Sequence, residues 1–223
     1  MSASASILAG LTLLVIGESH MTVPGFLREP LHASLTAQGA KVHSIGACGA
    51  SPSRWLKAQP VDCGADQAGA GAPVVKSHKG FSTTAITDLI RTDKPDLVVV
   101  IIGDTMGSYD KPSFAKTWAW QEVTGLTKAI ASTNTACVWV GPAWGTPGGK
   151  YFKNDARVQQ LSHFLSSNVA PCDYVDSLKF SKPGQWTTVD GQHLTQSSYA
   201  SWSRAITNAL LKSTVVNQIK KKQ

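Results

Sequence analysis

The sequence predicts a single α/β domain, a three-layer α/β/α arrangement around a five-stranded parallel sheet. Two observations predict it. Strand-like and helix-like stretches alternate along almost all of the 223 residues, and each strand-like stretch is apolar at consecutive rather than alternate positions. A strand apolar on both faces needs cover on both, as in a parallel sheet between two helical layers. A third observation is positional. The segments richest in chemistry follow strands or precede the last helix, so they converge where parallel sheets place their sites, beyond the carboxyl ends of the strands.

The elements follow in order. Residues 11–16 are a buried-strand run. Leu27, Leu31 and Leu35 recur at four-residue spacing, a helix closed by Gly39. Residues 41–45 form a second strand leading into Gly46-Ala47-Cys48-Gly49. Residues 50–79 are rich in Pro, Gly and Ala without a period and read as a long loop. Ile86, Leu89 and Ile90 mark a helix ending before Pro95, and residues 97–102 are the most hydrophobic strand, five β-branched residues after a leucine. Val123, Leu126 and Ile130 lie on a helix, followed by a strand at 137–140 stopped by Gly141-Pro142. Val158, Leu161 and Leu165 line another helix, and residues 173–175 a brief strand. Tyr199, Trp202, Ile206 and Leu210 form the stripe of the last helix, with Thr195 at its N-cap. The domain therefore spans 11–213, with 1–10 and 214–223 as flexible termini.

Composition narrows the function classes. Charged residues make up 16%, below the usual quarter, which argues against disorder. The net charge of +7 is spread along the chain, its only run being Lys220-Lys221-Lys222, and no recognition motif accompanies it. Nucleic-acid binding is therefore not expected. No segment reaches the length of a membrane span, and residues 2–10 lack the cationic and apolar regions of a signal peptide. The four cysteines, Cys48, Cys63, Cys137 and Cys172, show no C-x-x-C spacing. Two local disulfides, Cys48–Cys63 and Cys137–Cys172, are the expectation, and with them an extracytoplasmic location whose export signal is not visible here; four reduced buried thiols are the alternative.

The chemistry sits at the two ends of the chain. Gly17-Glu18-Ser19-His20 follows the first strand, and Asp190-Gly191-Gln192-His193-Leu194-Thr195 precedes the last helix. A serine hydroxyl is a weak nucleophile until a base takes its proton, and that base works best when a carboxylate fixes its tautomer. The two segments supply all three groups.

With these residues the chain resembles the SGNH (GDSL-like) hydrolase family, whose four blocks carry Ser, Gly, Asn and His in that order. Gly17-Glu18-Ser19 is similar to the G-D-S block, with Glu18 for Asp. Ala47-Cys48-Gly49-Ala50 is similar to the glycine block, with Gly49 the first choice for its glycine and Gly46 the second. Gly103-Asp104-Thr105 takes the place of G-x-N, and Asp190 to Thr195 matches the last block. The resemblance implies a flavodoxin-like sheet, Ser19 as nucleophile, His193 as base then acid, and Asp190 orienting His193. It implies an oxyanion hole from the Ser19 and Gly49 amides with Thr105 where the family has Asn, and neither metal nor cofactor. Candidates for substrate contact are His20, beside the nucleophile, and Trp144 and Trp186, loop aromatics that either stack on a sugar or pack their loops.

The expected activity is removal of O-acyl, chiefly O-acetyl, groups from a carbohydrate polymer through an acyl-serine. An O-acetyltransferase working within an exopolysaccharide assembly complex shares that intermediate. A non-catalytic polysaccharide-binding module, favoured by Thr105, is the third reading.

Overall fold

The computed structural model describes residues 6–69, 71, 74–77 and 79–222. The strands are β1 (Thr12–Gly17), β2 (Lys41–Ala47), β3 (Pro60–Val61), β4 (Gly64–Ala68), β5 (Val75–Ser77), β6 (Phe81–Ser82), β7 (Leu97–Ile101), β8 (Ala136–Val140) and β9 (Asp173–Val175). The helices are α1 (Arg28–Ala37), α2 (Ile86–Asp93), α3 (Lys116–Ala131), α4 (Asp155–Asn168), α5 (Gln196–Leu211) and α6 (Thr214–Lys220). The main sheet runs β5-β4-β2-β1-β7-β8-β9. Its β2-β1-β7-β8-β9 part is parallel, the five strands expected from the sequence.

The consecutive apolar residues of the strands are divided between two cores. Leu14, Ile16, Val98, Val100 and Trp139 face α2, α3 and α4, packing with Leu89, Val123, Leu126 and Leu161. Leu13, Val15, Val99, Ile101 and Val138 face the other way, onto Leu31, Leu35, Trp202, Ile206 and Leu210 of α1 and α5. Burial on both faces is what the two-residue repeat of a strand requires between two helical layers. The disulfides join Cys48 to Cys63 and Cys137 to Cys172. The first ties the loop after β2 to the start of β4, and the second joins β8 to the segment before β9.

Two expectations need correction. The stretch 50–79 is not simply a loop, because β4 pairs antiparallel with β2, and β5 with β4, extending the sheet by two strands. The small and polar residues of β4 (Gly-Ala-Asp-Gln-Ala) carry no alternation that would mark them as a strand. Residues 70, 72, 73 and 78 of that stretch lie outside the described residues. The termini are also not simply flexible. Residues 214–220 form α6, with Val216 fully buried in the same core as Leu8, and Lys220 Nζ donates to the carbonyl of Ala9 at 2.8 Å. Residues 1–5 and 223 are outside the described residues.

His43 holds the extra strand in place. Its Nε2 meets Asp66 of β4 at 2.8 Å and its Nδ1 meets Asp93 at the end of α2 at 2.6 Å. Burial works to lower the imidazole pKa, but the hydrogen bonds and charges of the two carboxylates outweigh it, so His43 titrates above its ordinary value of 6.5. A group with a raised folded-state pKa stabilises fully below its unfolded pKa, and loses that contribution as pH rises through the folded one. Replacing His43 by Gln should therefore lower the thermal midpoint more at pH 5 than at pH 9. Melting curves of both proteins across that range check it, and parallel pH profiles would show that the ion pairs contribute nothing.

Candidate active site

Ser19 begins the short helical turn Ser19–Met21, directly after β1. The turn is tight because Gly17 and Gly46 both lie against Met21. A Cβ at Gly46 would fall on the Met21 backbone, so this glycine serves close packing. Gly49, beyond the end of β2, is different: its φ is +63°, it is exposed, and the space above its Cα is empty. Among the described residues neither the Ser19 nor the Gly49 backbone N–H is taken up by a protein acceptor.

The residues from the far end of the chain meet Ser19. Ser19 Oγ lies 2.7 Å from His193 Nε2, and His193 Nδ1 lies 2.7 Å from Asp190 Oδ2. The other oxygen of Asp190 accepts the backbone N–H groups of Gln192 at 3.0 Å and His193 at 2.7 Å. Burial raises the Asp190 pKa, but these hydrogen bonds hold the carboxyl below its ordinary range. The turn is framed by a short antiparallel bridge between Thr188 and Leu194. It is braced from outside by the 145–152 loop, where Thr146 N–H donates to Gly191 O at 2.8 Å and Lys150 N–H to Asp190 O at 2.9 Å. Gly149 and Gly191 pass so closely that neither tolerates a side chain. The His193 ring is stacked by Phe26 at 5.5 Å and met edge-on by Tyr151 at 5.3 Å.

Beneath the serine lies a network absent from the sequence reading. The Glu18 carboxylate accepts the backbone N–H groups of Gly103 at 2.8 Å, Asp104 at 2.7 Å and Thr105 at 2.8 Å. Burial first, and then the charge of Asp104, push Glu18 up to about 7 against those three bonds. Glu18 thus fastens the turn after β7 to the turn after β1. Asp104 is buried and accepts from Lys153 Nζ at 2.7 Å and Tyr109 OH at 2.6 Å, with His20 Nε2 at 2.9 Å. The charges of Lys153 and the His20 bond hold its pKa well below the carboxylate range despite burial. His20 Nδ1 is 2.7 Å from Tyr199 OH, and burial lowers the His20 pKa.

Three sequence candidates for substrate contact are corrected by this arrangement. His20 is 2% exposed, and both its ring nitrogens are engaged beneath the site. Trp144 is buried, its indole N–H shared by the carbonyls of Leu178 and Ser181. Trp186 is buried in the core that includes Leu194 and Tyr199. An indole is large enough to be drawn into whatever apolar space its loop covers, which is what happens to both. The cleft that holds Ser19 and His193 encloses about 800 Å³, and its aromatic lining is Phe26, Tyr109, Trp118, Tyr151 and Phe152. Gly49 and Thr105 line it as well. The Thr105 hydroxyl donates to Ala50 O over a long 3.3 Å.

Comparison with known proteins places the chain. No family model matches it. Protein BcsX of Komagataeibacter xylinus is 42% identical over 208 residues, which make up 92% of this chain and 79% of that protein. The chain belongs to the BcsX family. Solved structures similar to this BcsX-family chain share its fold. A DUF4886 family protein from Bacteroides uniformis superposes with a TM-score of 0.62 at 15% identity, covering 92% of this chain and 84% of that one. A catalytic mutant of an acetylxylan esterase from Geobacillus stearothermophilus has a TM-score of 0.53 at 15% identity, covering 89% and 93%. A peptidoglycan O-acetylesterase has a TM-score of 0.53 at 12% identity, covering 98% and 93%. The fold is that of the SGNH hydrolases, as the four sequence blocks implied.

Proposed function

We propose that the protein is a serine esterase-type enzyme that acts on O-acetyl groups of a carbohydrate polymer outside the cytoplasm. The observation that carries this reading is the unbroken hydrogen-bonded line from Ser19 through His193 to Asp190, opening into a cleft. Ser19 Oγ attacks the ester carbonyl while His193 Nε2 takes the hydroxyl proton. Asp190 holds His193 in the required tautomer and offsets the charge that forms on the ring. The backbone amides of Ser19 and Gly49 donate to the developing oxyanion, with the Thr105 hydroxyl turning from Ala50 O to supply a third bond. The protonated His193 then passes its proton to the sugar oxygen as the C–O bond breaks, leaving acetyl on Ser19. The acetyl-carbohydrate esterases among the similar folds support the substrate class, and the two disulfides support an oxidising compartment.

The rings of Phe26 and Tyr151 against His193 favour a second reading, in which they keep water from the acyl-serine and a sugar hydroxyl accepts the acetyl group. Incubation with p-nitrophenyl acetate, with and without an oligosaccharide acceptor, separates the two by mass spectrometry. Acetate alone identifies a hydrolase and acetylated sugar a transferase, whereas the absence of both products would contradict the catalytic reading.

The third donor has its own test. Thr105→Val keeps the shape and removes the hydroxyl, and is expected to lower kcat about ten- to a thousandfold with little change in KM. A silent Thr105→Val would leave the hydroxyl only its bond to Ala50.

A further inference from the structure

The tryptophans nearest the catalytic loops in sequence are spent inside the protein, and a different set of aromatic side chains is presented to the cleft. Trp118, in the first turn of α3, is 38% exposed, Tyr151 37% and Phe152 62%. All three line the space that holds Ser19, and they come from two separate elements. Phe152 is exposed at a double cost. Its ring meets water, and its φ of +58° is a left-handed conformation that bulky side chains rarely adopt. The segment cannot relax, because it is fixed on both sides. The Phe152 N–H donates to Gly149 O at 3.0 Å, Lys153 is buried on Asp104, and the Asn154 side chain caps α4 by accepting the Arg157 N–H.

The lining carries three carboxylates, Asp104, Asp110 and Asp190, and two lysines, Lys111 and Lys150. Asp104 is paired with the buried Lys153 at 2.7 Å and Asp110 with Lys111 at 2.8 Å, while Lys150 Nζ lies 5.4 Å from the Tyr151 ring centre. Such a lining has no excess of cations with which to grip a polyanion, whereas exposed flat rings suit the apolar C–H faces of neutral sugars. The volume of about 800 Å³ lies near the top of the range for ligand sites, roughly 300–1,000 Å³, and exceeds what one acetylated sugar needs.

We propose that the cleft binds a neutral polysaccharide chain over several sugar units, with Trp118 and the Tyr151–Phe152 pair as stacking platforms flanking the unit presented to Ser19. This rests on the esterase-type reading only in taking Ser19 as the reacting group. The residues around Ser19 then act on an acetyl group within a chain, and the platforms decide which chain and which unit.

Binding is measured on Ser19→Ala protein, so that turnover does not enter. Isothermal titration with xylohexaose, cellohexaose and chitohexaose is compared with the corresponding disaccharides and with hexagalacturonate as the anionic control. At least one neutral hexamer is expected to bind at least tenfold tighter than both its disaccharide and the anionic chain. Trp118→Ala and Phe152→Ala should each weaken that binding about three- to tenfold, with thermal midpoints within roughly 2 °C of the parent. The proposal is overturned if no neutral hexamer binds, if the disaccharide binds as tightly, or if both folded variants bind the hexamer unchanged. Labelling of Ser19 by a serine-directed phosphonate in the parent protein reports separately on the catalytic reading, so either can fail while the other stands.

Discussion

Replacing Ser19 by Ala is expected to lower turnover of p-nitrophenyl acetate by about 10⁴-fold or more, with the thermal midpoint little changed. The substitution deletes one oxygen at the floor of an open cleft and breaks one hydrogen bond, the 2.7 Å contact with His193. His193 keeps Asp190, and the Nε2 that loses the serine belongs to a ring lining the cleft. His193→Ala should cost about as much, and the double variant little more than either, because a nucleophile without its base is as inactive as no nucleophile. Steady-state rates of the three variants check this. Activity within tenfold of the parent in folded Ser19→Ala would remove the serine from the mechanism. Asp190→Asn should fall between, since the geometry survives while the favoured tautomer and the compensating charge are lost.

Lys153→Met is expected to have the largest effect on stability. Lys153 and Asp104 are both almost wholly inaccessible, and their 2.7 Å contact joins the loop that carries Tyr151 and Phe152 to the floor of the site. Methionine fills the space of the stem but leaves Asp104 a buried carboxylate, with only His20 and Tyr109 to stabilise its charge. Removing one partner of a buried pair costs about 3–5 kcal/mol, which in a chain of 223 residues corresponds to a fall in thermal midpoint of about 6–20 °C. Asp104→Leu combined with Lys153→Met should recover part of that loss, because two apolar groups no longer strand a charge. Thermal melts of the single and double variants decide it. A midpoint within 2 °C of the parent for Lys153→Met would show that the pair carries little stability.

The parallel sheet and the hydrogen-bonded line of Ser19, His193 and Asp190 were legible because their signals are local or carried by unmistakable residues. Runs such as 97–102 permit little besides a strand covered on both faces, and a carboxylate three residues before a histidine sets up the Asp190–His193 contact within one turn. The two antiparallel strands went unread because the residues of β4 pack by backbone pairing and by His43 reaching across to Asp66, neither of which leaves a periodicity. The network under Ser19 was hidden for another reason: its partners are far apart in sequence. Glu18 reads as a small departure from a G-D-S block, yet its partners are three amides more than eighty residues away. Lys153, between Phe152 and Asn154 in a polar loop, has every sequence attribute of a solvated lysine. For the loop tryptophans, sequence placed Trp144 near the site but carried no information on which way the ring turns; the carbonyls of Leu178 and Ser181 determine that.

Passage of acetyl through Ser19 is tested by intact-protein mass spectrometry after brief mixing with p-nitrophenyl acetate or a serine-directed phosphonate. One covalent adduct per chain is expected, located on the peptide containing Ser19, absent from Ser19→Ala and strongly reduced in His193→Ala. An adduct on any other residue, or none from either reagent in folded protein, would contradict it.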